Sequence, residues 1–408
     1  MQPTRDSGRW PELDVLRTLA VVLMVGNHTA TRVAASPPPW LVDAADLVGS
    51  MAPVAFFFLT GFGNGIQSIG KQPGNRLHQL IKVGLLLFAD VFLWVSPSTH
   101  LGLDFLAFIG LSVLLLKELS RLPYSGRIAA AAAVAVGLAR FLLGPLARPM
   151  LPDTMLGHSA GALLGVSGLA GLSYPPAPWL CYPLLGYALG RLAARWRTRF
   201  VDHWKGVALL ASAIGIVSTA AAMLLASRGL IIFRWGTVSL TFFIASLAAI
   251  GFLAAIAIVA GRSPAAKFLS TEAQASFAVV PLHYMLLHLL DAALGPATGS
   301  ASYLVRFLTV LALSLIGASL ASQFSALLRR RGDAAVQTAW LTVLAACAAT
   351  AILLAVHPMS EASSTALRFV AQSMLCILLG LPIPSLSPSR PEPRVYAETA
   401  SRHNPDNQ

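Results

Sequence analysis

The sequence predicts an all-α, polytopic integral membrane helix bundle with 11–12 transmembrane helices, and three observations lead to this fold class. Hydrophobic residues make up 56% of its 408 residues and charged residues only 11%, with a mean hydropathy of +0.70. Apolar windows of about 20 residues, the length that crosses a bilayer as a helix, recur along the whole chain. Lysines and arginines concentrate in every second connection, the pattern that orients membrane helices.

The apolar windows follow one another with short polar connections, and each is interpreted as one span. The second mixes proline and glycine with aromatic residues, which permits close helix approach or a kink beside a cavity. The twelfth contains Arg368, so a re-entrant or interfacial segment is the alternative there. The approximate cores are 12–34, 45–67, 76–96, 101–119, 127–146, 176–194, 205–226, 236–260, 270–291, 302–325, 335–356 and 363–382.

The loop charges predict the orientation of the bundle. The connections around 117–127, 191–205 and 329–331 are basic, whereas the intervening ones carry few positive charges. By the positive-inside rule the N-terminus is cytoplasmic, and twelve spans return the C-terminus to the same side. The predicted location is an inner (plasma) membrane of the bacterial type.

Two segments are not predicted to span the membrane. Residues 147–175 are rich in glycine and serine and form a predicted outer loop, long enough to indicate a function. Residues 383–408 are polar and rich in proline, which predicts a disordered cytoplasmic tail. Residues 1–382 are therefore predicted to form one transmembrane domain, and any chemistry takes place inside the bundle.

The net charge of +12 does not indicate nucleic-acid binding here. No basic stretch is interleaved with aromatic residues on a soluble fold, and orientation of the loops accounts for the excess of positive charge. The three cysteines, Cys181, Cys347 and Cys376, fall in predicted spans without metal-ligand spacing. We interpret them as small packing residues and expect neither a disulfide framework nor a metal site.

The first span carries a polar stripe formed by Asp14, Arg17 and His28. Each charge placed in hydrocarbon costs roughly 2.5–3.5 kcal/mol, so a simple anchor would not contain them. Eleven residues separate Arg17 from His28, close to three helical turns at about 100° per residue, and Asp14 lies on the same face. The stripe is expected to line a cavity, and the charges argue against a cleaved signal peptide.

Four ionisable residues from four helices are predicted to meet in the outer half of the bundle. His28 and His283 are the catalytic candidates, and Asp90 and Asp104 are the candidates on the acceptor side. An interfacial position is the alternative for each aspartate. A core histidine bonded to a backbone carbonyl is the alternative for His283.

The inner half of the first span is predicted to bind an anionic group. Arg17 suits a phosphate or carboxylate because a guanidinium makes paired hydrogen bonds and stays charged. Asp14 is expected to pair with Arg17 and to offset the cost of its burial. Arg76 and Lys82 extend this predicted basic mouth, with simple orientation charge as their alternative role.

These residues resemble a known family. Leu13, Asp14, Leu16 and Arg17, followed after eleven residues by His28, resemble the first-helix signature of the transmembrane acyltransferase superfamily. That superfamily includes acyltransferase-3 proteins and relatives of heparan-α-glucosaminide N-acetyltransferase. Segments 105–112, 179–191 and 282–283 are similar to the latter branch and occur in the expected order.

The resemblance implies transfer of an acyl group, commonly acetyl from cytoplasmic acetyl-CoA, to a glycan hydroxyl or amine at the outer face. A lipid-linked sugar is an equivalent acceptor. The family's essential arginine and histidine map onto Arg17 and His28, and His28 acts as a general base or carries the acyl group transiently. The acyltransferase-3 arginine pair at the start of the third helix is replaced by Arg76 with Lys82. This departure counts against the acyltransferase-3 branch. The residue argument above, together with the mapping of Arg17, gives the predicted donor set of Arg17, Asp14, Arg76 and Lys82.

A secondary transporter of a small polar solute is the main alternative. Twelve spans, buried charges and a glycine-rich second span are compatible with one. Against it, the first six spans are not repeated in the last six, and the 65–71 connection lacks the charged run typical of the major facilitator class. A flippase or a structural partner for envelope glycan assembly is the third class considered.

The predicted orientation can be tested by cysteine labelling. Single cysteines placed in the 147–175 and 191–205 connections, in a variant lacking Cys181, Cys347 and Cys376, are exposed to an impermeant maleimide on intact cells. We expect labelling of the first connection, with the second labelled only after permeabilisation. The reverse pattern would reject the orientation.

Overall fold

A computed structural model describes residues 10–33, 39–69, 76–94, 104–147, 149–152, 154–166, 173–230, 239–264, 266, 276–357 and 359–384. Across these residues the chain is helical, and the only β-type pairing is an isolated bridge between Val33 and Ala297. The predicted all-α bundle is therefore confirmed. The predicted tail lies outside the described residues from residue 385 onward.

Helices occupy all twelve predicted spans, and the sixth is divided at Leu180. Further short helices lie in the connections. The helices are α1 (Pro11–Ala30), α2 (Pro39–Gln67), α3 (Arg76–Trp94), α4 (Phe105–Leu119), α5 (Ser125–Leu142), α6 (Gly144–Ala147), α7 (Met155–Leu163), α8 (Pro176–Trp179), α9 (Cys181–Arg195), α10 (Arg197–Asp202), α11 (Trp204–Ser227), α12 (Leu240–Ala260), α13 (Ser276–Leu294), α14 (Gly299–Arg330), α15 (Asp333–Val356) and α16 (Glu361–Leu378).

Six of the described helices, α5 and α11 to α15, are long and apolar enough to cross a membrane. This supports an integral membrane protein. Helices α4 and α9 are apolar but only 15 residues long, shorter than the roughly 20 residues of a full crossing. Helix α1 differs for another reason, because Glu12, Asp14 and Arg17 all lie in its first half.

The position of α1 follows from its sequence. Pro11 begins the helix at a place where its missing N–H is not needed and its fixed φ suits helical backbone. Glu12 and Asp14 lie in the first turn, where negative charge interacts favourably with the helix dipole, and His28 lies in the last turn. The histidine therefore lies at the opposite end of α1 from the acidic residues.

The two largest buried apolar clusters of the described residues share α2. One packs α2 against α1, α12, α13 and α14, and the other packs it against α3, α4, α9, α15 and α16. The three cysteines are buried and unbonded to one another in these surroundings, which confirms their interpretation as packing residues. Because α2 belongs to both clusters, it fixes the position of α1 relative to the rest of the bundle.

Four glycines let α2 and α9 cross at backbone contact. A Cβ added at Gly61 or Gly65 would lie 1.9 or 2.3 Å from a carbonyl oxygen of α9. A Cβ added at Gly186 or Gly190 would lie 2.1 or 2.2 Å from a carbonyl oxygen of α2. Each helix thus contributes a pair of glycines four residues apart, an arrangement that permits close packing of membrane helices.

We expect Gly61→Ala to destabilise the protein by about 1–3 kcal/mol, because the new methyl group overlaps a backbone carbonyl and the helices must separate. Gly84→Ala is the control, since nothing lies within 4 Å of a Cβ at that position. There, the better helix propensity of alanine is expected to be neutral or stabilising by up to about 1 kcal/mol. Thermal unfolding in detergent compares the two variants, and equal midpoints would contradict the close crossing.

Candidate active site

Two histidines predicted to lie at the same depth are in direct contact. His28, in the last turn of α1, places its Nδ1 atom 2.7 Å from Nε2 of His283 on α13. The two rings are nearly parallel, with an interplanar angle of 7° and centroids 5.0 Å apart. His283 is fully buried, whereas His28 keeps part of its surface open.

The hydrogen bonds determine which nitrogen of each neutral ring carries the proton. His283 Nδ1 lies 2.8 Å from the Val279 carbonyl oxygen, which only accepts, so this nitrogen must donate. The Nε2 atom of His283 then holds a lone pair and accepts from Nδ1–H of His28. Consequently the lone pair of His28 is on Nε2, and this atom is the basic one.

Tyr284 completes the group, and the sequence argument assigned it no role. Its hydroxyl lies 3.0 Å from Nε2 of His28, so the phenol donates to the basic lone pair. The ring also stacks on His28 at 4.5 Å and on Phe369 at 5.8 Å between centroids. Its adjacency to His283 was the one available signal, and adjacency alone does not indicate which helix a side chain meets.

An ionic network lies beyond the histidines, about one helical turn after His28 and about two turns after His283. Asp291 accepts from Arg32 at 2.9 Å and from Arg306 at 2.5 Å, and Arg306 also donates to the Gly295 carbonyl. These contacts join the end of α1 to α13 and α14. Charges inside a membrane protein generally pair in this way because an unpaired one is costly there.

The guanidinium of Arg32 also lies against the ring of His288. Its two terminal nitrogens are 3.3 and 2.9 Å from the two ring nitrogens. A guanidinium only donates, and a neutral imidazole offers at most one lone pair, so the two contacts cannot both be hydrogen bonds. At most one of them is a hydrogen bond, and it adds to the binding of Arg32 by Asp291.

A cavity of about 160 Å³ opens beside His28. Its wall is largely apolar and aromatic with a few polar groups, the character expected of a small-molecule site. Asp104, a predicted acceptor-side residue, lies in this wall. The lining residues are Met24, Asn27, His28, Gly49, Ala52, Pro53, Phe56, Asp104, Phe105, Ser173, Tyr174, Val280 and Tyr284.

The segment predicted as an outer loop contributes to this cavity. Its residues 155–163 form α7, and Ser173 and Tyr174 reach the cavity wall. Tyr174 is buried in an aromatic cluster with Phe57 and Trp179, at 5.1 and 5.0 Å between ring centroids. The 173–174 end of the segment is therefore packed into the protein at the site, whereas Met150 and Leu156 are exposed.

Asp90, the other predicted acceptor-side residue, has a different environment. It is only 1% exposed and accepts from the backbone N–H of Asp104 at 2.5 Å and of Leu106 at 3.3 Å. Its carboxylate thus satisfies amides at the N-terminus of α4, which have no partner within the helix. Asp90 is not among the residues that line the described cavity, and it orients Asp104, which is.

The expected ion pair in the first half of α1 is confirmed. Arg17 Nη1 lies 3.2 Å from Asp14, whose carboxylate is buried, while the arginine side chain is 33% exposed. Arg17 faces Gly63 of α2. The eleven residues between Arg17 and His28 correspond to about 16 Å along the helix axis at about 1.5 Å per residue.

Arg76 and Lys82 lie on the surface of α3. Arg76 pairs with Glu118 of α4 at 2.8 Å, and its side chain is 65% exposed. Lys82 is also exposed. Among the contacts of the described residues, none joins either side chain to the Asp14–Arg17 pair, so their predicted donor role has no geometric support. Nor do three metal-ligating side chains meet anywhere in the described ranges.

The fold and the site define a polytopic membrane protein with two contacting histidines beside a cavity, and the family comparison gives the class of reaction. Residues 9–220, just over half of the chain, match the model of the heparan-alpha-glucosaminide N-acetyltransferase catalytic region. The chain belongs to this family and is a membrane acetyltransferase of the kind that acts on glycan-type acceptors. The match supports the predicted heparan-acetyltransferase-like branch and gives no support to the acyltransferase-3 branch. No curated protein matches the chain.

Proposed function

We propose that this protein transfers an acetyl group from cytoplasmic acetyl-CoA to a hydroxyl or amine of a glycan, or of a lipid-linked sugar, at the outer face of a plasma membrane. The observation that carries the proposal is the position of His28. His28 borders the cavity, its basic Nε2 atom accepts from Tyr284 of the same wall, and the same helix carries Arg17 toward the predicted cytoplasmic end.

The donor is proposed to bind along α1. The partly exposed guanidinium of Arg17 suits a CoA phosphate, and the buried Asp14 holds it in place. The cavity of about 160 Å³ is well below the roughly 300–1,000 Å³ that encloses a drug-sized ligand, so it suits the reacting ends of two substrates and not a nucleotide. An extended pantetheine arm is a chain long enough to connect these two places.

His28 is proposed to act as the general base. The acceptor approaches its Nε2 atom and gives up a proton as the acceptor atom attacks the thioester carbon. The imidazolium is stabilised because Nδ1–H donates to His283, which in turn donates to the Val279 carbonyl. Its place in the last turn of α1 adds to this, since a positive charge is favoured at a helix C-terminus.

The match to an acetyltransferase family argues against the transporter alternative. Residues 9–220 include Arg17, His28 and the 105–112 segment, and they belong to an acetyltransferase family. The buried charges cited for a transporter are used in ion pairs and in the histidine contact. Solute uptake by liposomes without cleavage of acetyl-CoA would favour the transporter.

We expect Arg17→Ala to weaken acetyl-CoA binding strongly and Arg17→Lys to restore it only in part, because lysine lacks the paired donors of a guanidinium. Arg262→Ala is a matched control. Arg262 also pairs with an acidic residue of α1, Glu12, at 3.0 Å, and its side chain is 31% exposed. Isothermal titration with acetyl-CoA measures binding, and thermal unfolding detects any loss of fold. A folded Arg17→Ala protein with wild-type affinity would remove Arg17 from the donor site.

We expect His28→Ala to lower the rate of transfer by about 10²–10⁴-fold, the usual contribution of a general base, with acetyl-CoA binding retained. His283→Ala should cost less, because His283 acts through His28. His78→Ala, at an exposed position on α3, is the control. The assay is release of free CoA by purified protein in nanodiscs supplied with mixed glycan acceptors. An undiminished rate for His28→Ala would refute its role as the base.

A further inference from the structure

The hydroxyl of Tyr284 occupies the place where the reaction is proposed to occur. It lies 3.0 Å from Nε2 of His28 and borders the same cavity. Since Nε2 holds the lone pair, the phenol is a donor with its hydrogen directed at the base. An acceptor that gives its proton to Nε2 must displace this hydrogen bond.

The displaced phenol remains beside the reacting atoms. In the tetrahedral intermediate, the acceptor atom and the former carbonyl oxygen are bonded to one carbon, so a group adjacent to one is adjacent to the other. A donor within hydrogen-bond distance of Nε2 is therefore only a short movement from the oxygen that develops negative charge. Donors placed for that oxygen are commonly the largest single electrostatic contribution to acyl transfer.

We propose that Tyr284 is a catalytic residue that donates its hydroxyl hydrogen to the oxyanion formed from the thioester carbonyl. The proposal rests on the proposed function and adds a second catalytic group to the same site. Tyr284 directly follows His283 in α13. The helix that orients the base therefore also holds the oxyanion donor.

The step is balanced as follows. The acceptor oxygen or nitrogen bonds to the thioester carbon, its proton passes to Nε2 of His28, and the carbonyl electron pair moves to oxygen, which accepts the Tyr284 hydrogen bond. When the carbonyl re-forms, the carbon–sulfur bond breaks with its electron pair on sulfur. The Nε2 proton then passes to that sulfur, which leaves as free CoA thiol.

The ring of Tyr284 is held before any substrate binds. It stacks on His28 at an interplanar angle of 30° and on Phe369 at 13°. A donor fixed in advance does not have to reorganise as charge develops, and this is what makes such donors effective. The side-chain amide of Asn27 is a second donor in the cavity wall. The contact with Nε2, however, is made by the Tyr284 hydroxyl.

The test compares Tyr284→Phe with Tyr303→Phe in full-length protein in nanodiscs, using CoA release from acetyl-CoA. Tyr303 is the matched control because its hydroxyl also bonds to α1, at the Gly26 carbonyl (3.2 Å), and its ring also stacks on an aromatic neighbour. We expect Tyr284→Phe to lower kcat by about 10²–10³-fold with little change in KM for acetyl-CoA. Tyr303→Phe should leave kcat within a few fold of wild type.

A second substitution separates hydrogen-bond donation from packing. Replacing Tyr284 by 3-fluorotyrosine keeps the ring and strengthens the phenol as a donor, so kcat should recover to at least the wild-type value. An unchanged kcat for Tyr284→Phe would overturn the proposal. An increased kcat would also overturn it, because it would mean that the phenol only blocks the base. Absence of CoA release by the wild type would instead refute the proposed function itself.

Discussion

The reaction centre depends on one shared carboxylate. Asp291 binds Arg32 at the end of α1 and Arg306 of α14, and it lies on the same helix as His283 and Tyr284. Charged side chains inside a membrane protein generally pair with one another, because an unpaired charge is costly there. The network therefore fixes the last turn of α1 against α13. His28 can meet His283 and Tyr284 only while this register is kept.

The wall of the cavity formed by α2 is held in place by apolar and aromatic packing, with no ion pair among its described residues. Helix α2 lies against α1 on one side and crosses α9 at backbone contact through its glycines on the other. The cluster of Phe57, Tyr174 and Trp179 closes the same region from the α8 side. A close-packed wall of this kind resists small displacements. The cavity beside His28 therefore has a defined shape without bound substrate.

The direction of the hydrogen bonds gives the site its chemical asymmetry. The Val279 carbonyl can only accept, so Nδ1 of His283 must donate to it. Nε2 of His283 therefore accepts, and Nδ1 of His28 must donate. The basic lone pair consequently emerges on the cavity side of His28, where Tyr284 meets it. A carbonyl contact was expected as the mark of a purely structural histidine, and His283 makes one. That contact also sets the tautomer of His28, the histidine that borders the cavity.

The sequence alone was sufficient for the class of fold, the helix positions and the ion pair in the first half of α1. Asp14, Arg17 and His28 share one face, and Asp14 pairs with Arg17, because helical geometry relates residues close in sequence regardless of their surroundings. Depth estimated from the span order also grouped His28 with His283 and placed Asp104 at the level of the site.

Tertiary structure decided the contacts that depend on how helices rotate about their axes and slide past one another. It paired Arg76 with Glu118, made Asp90 a cap for α4 and brought Tyr284 to the base. A hydropathy pattern fixes the depth of a residue but not the neighbour its side chain faces. That neighbour is set by long-range packing, here by the α2–α9 crossing and the Asp291 network, whose members are distant in sequence.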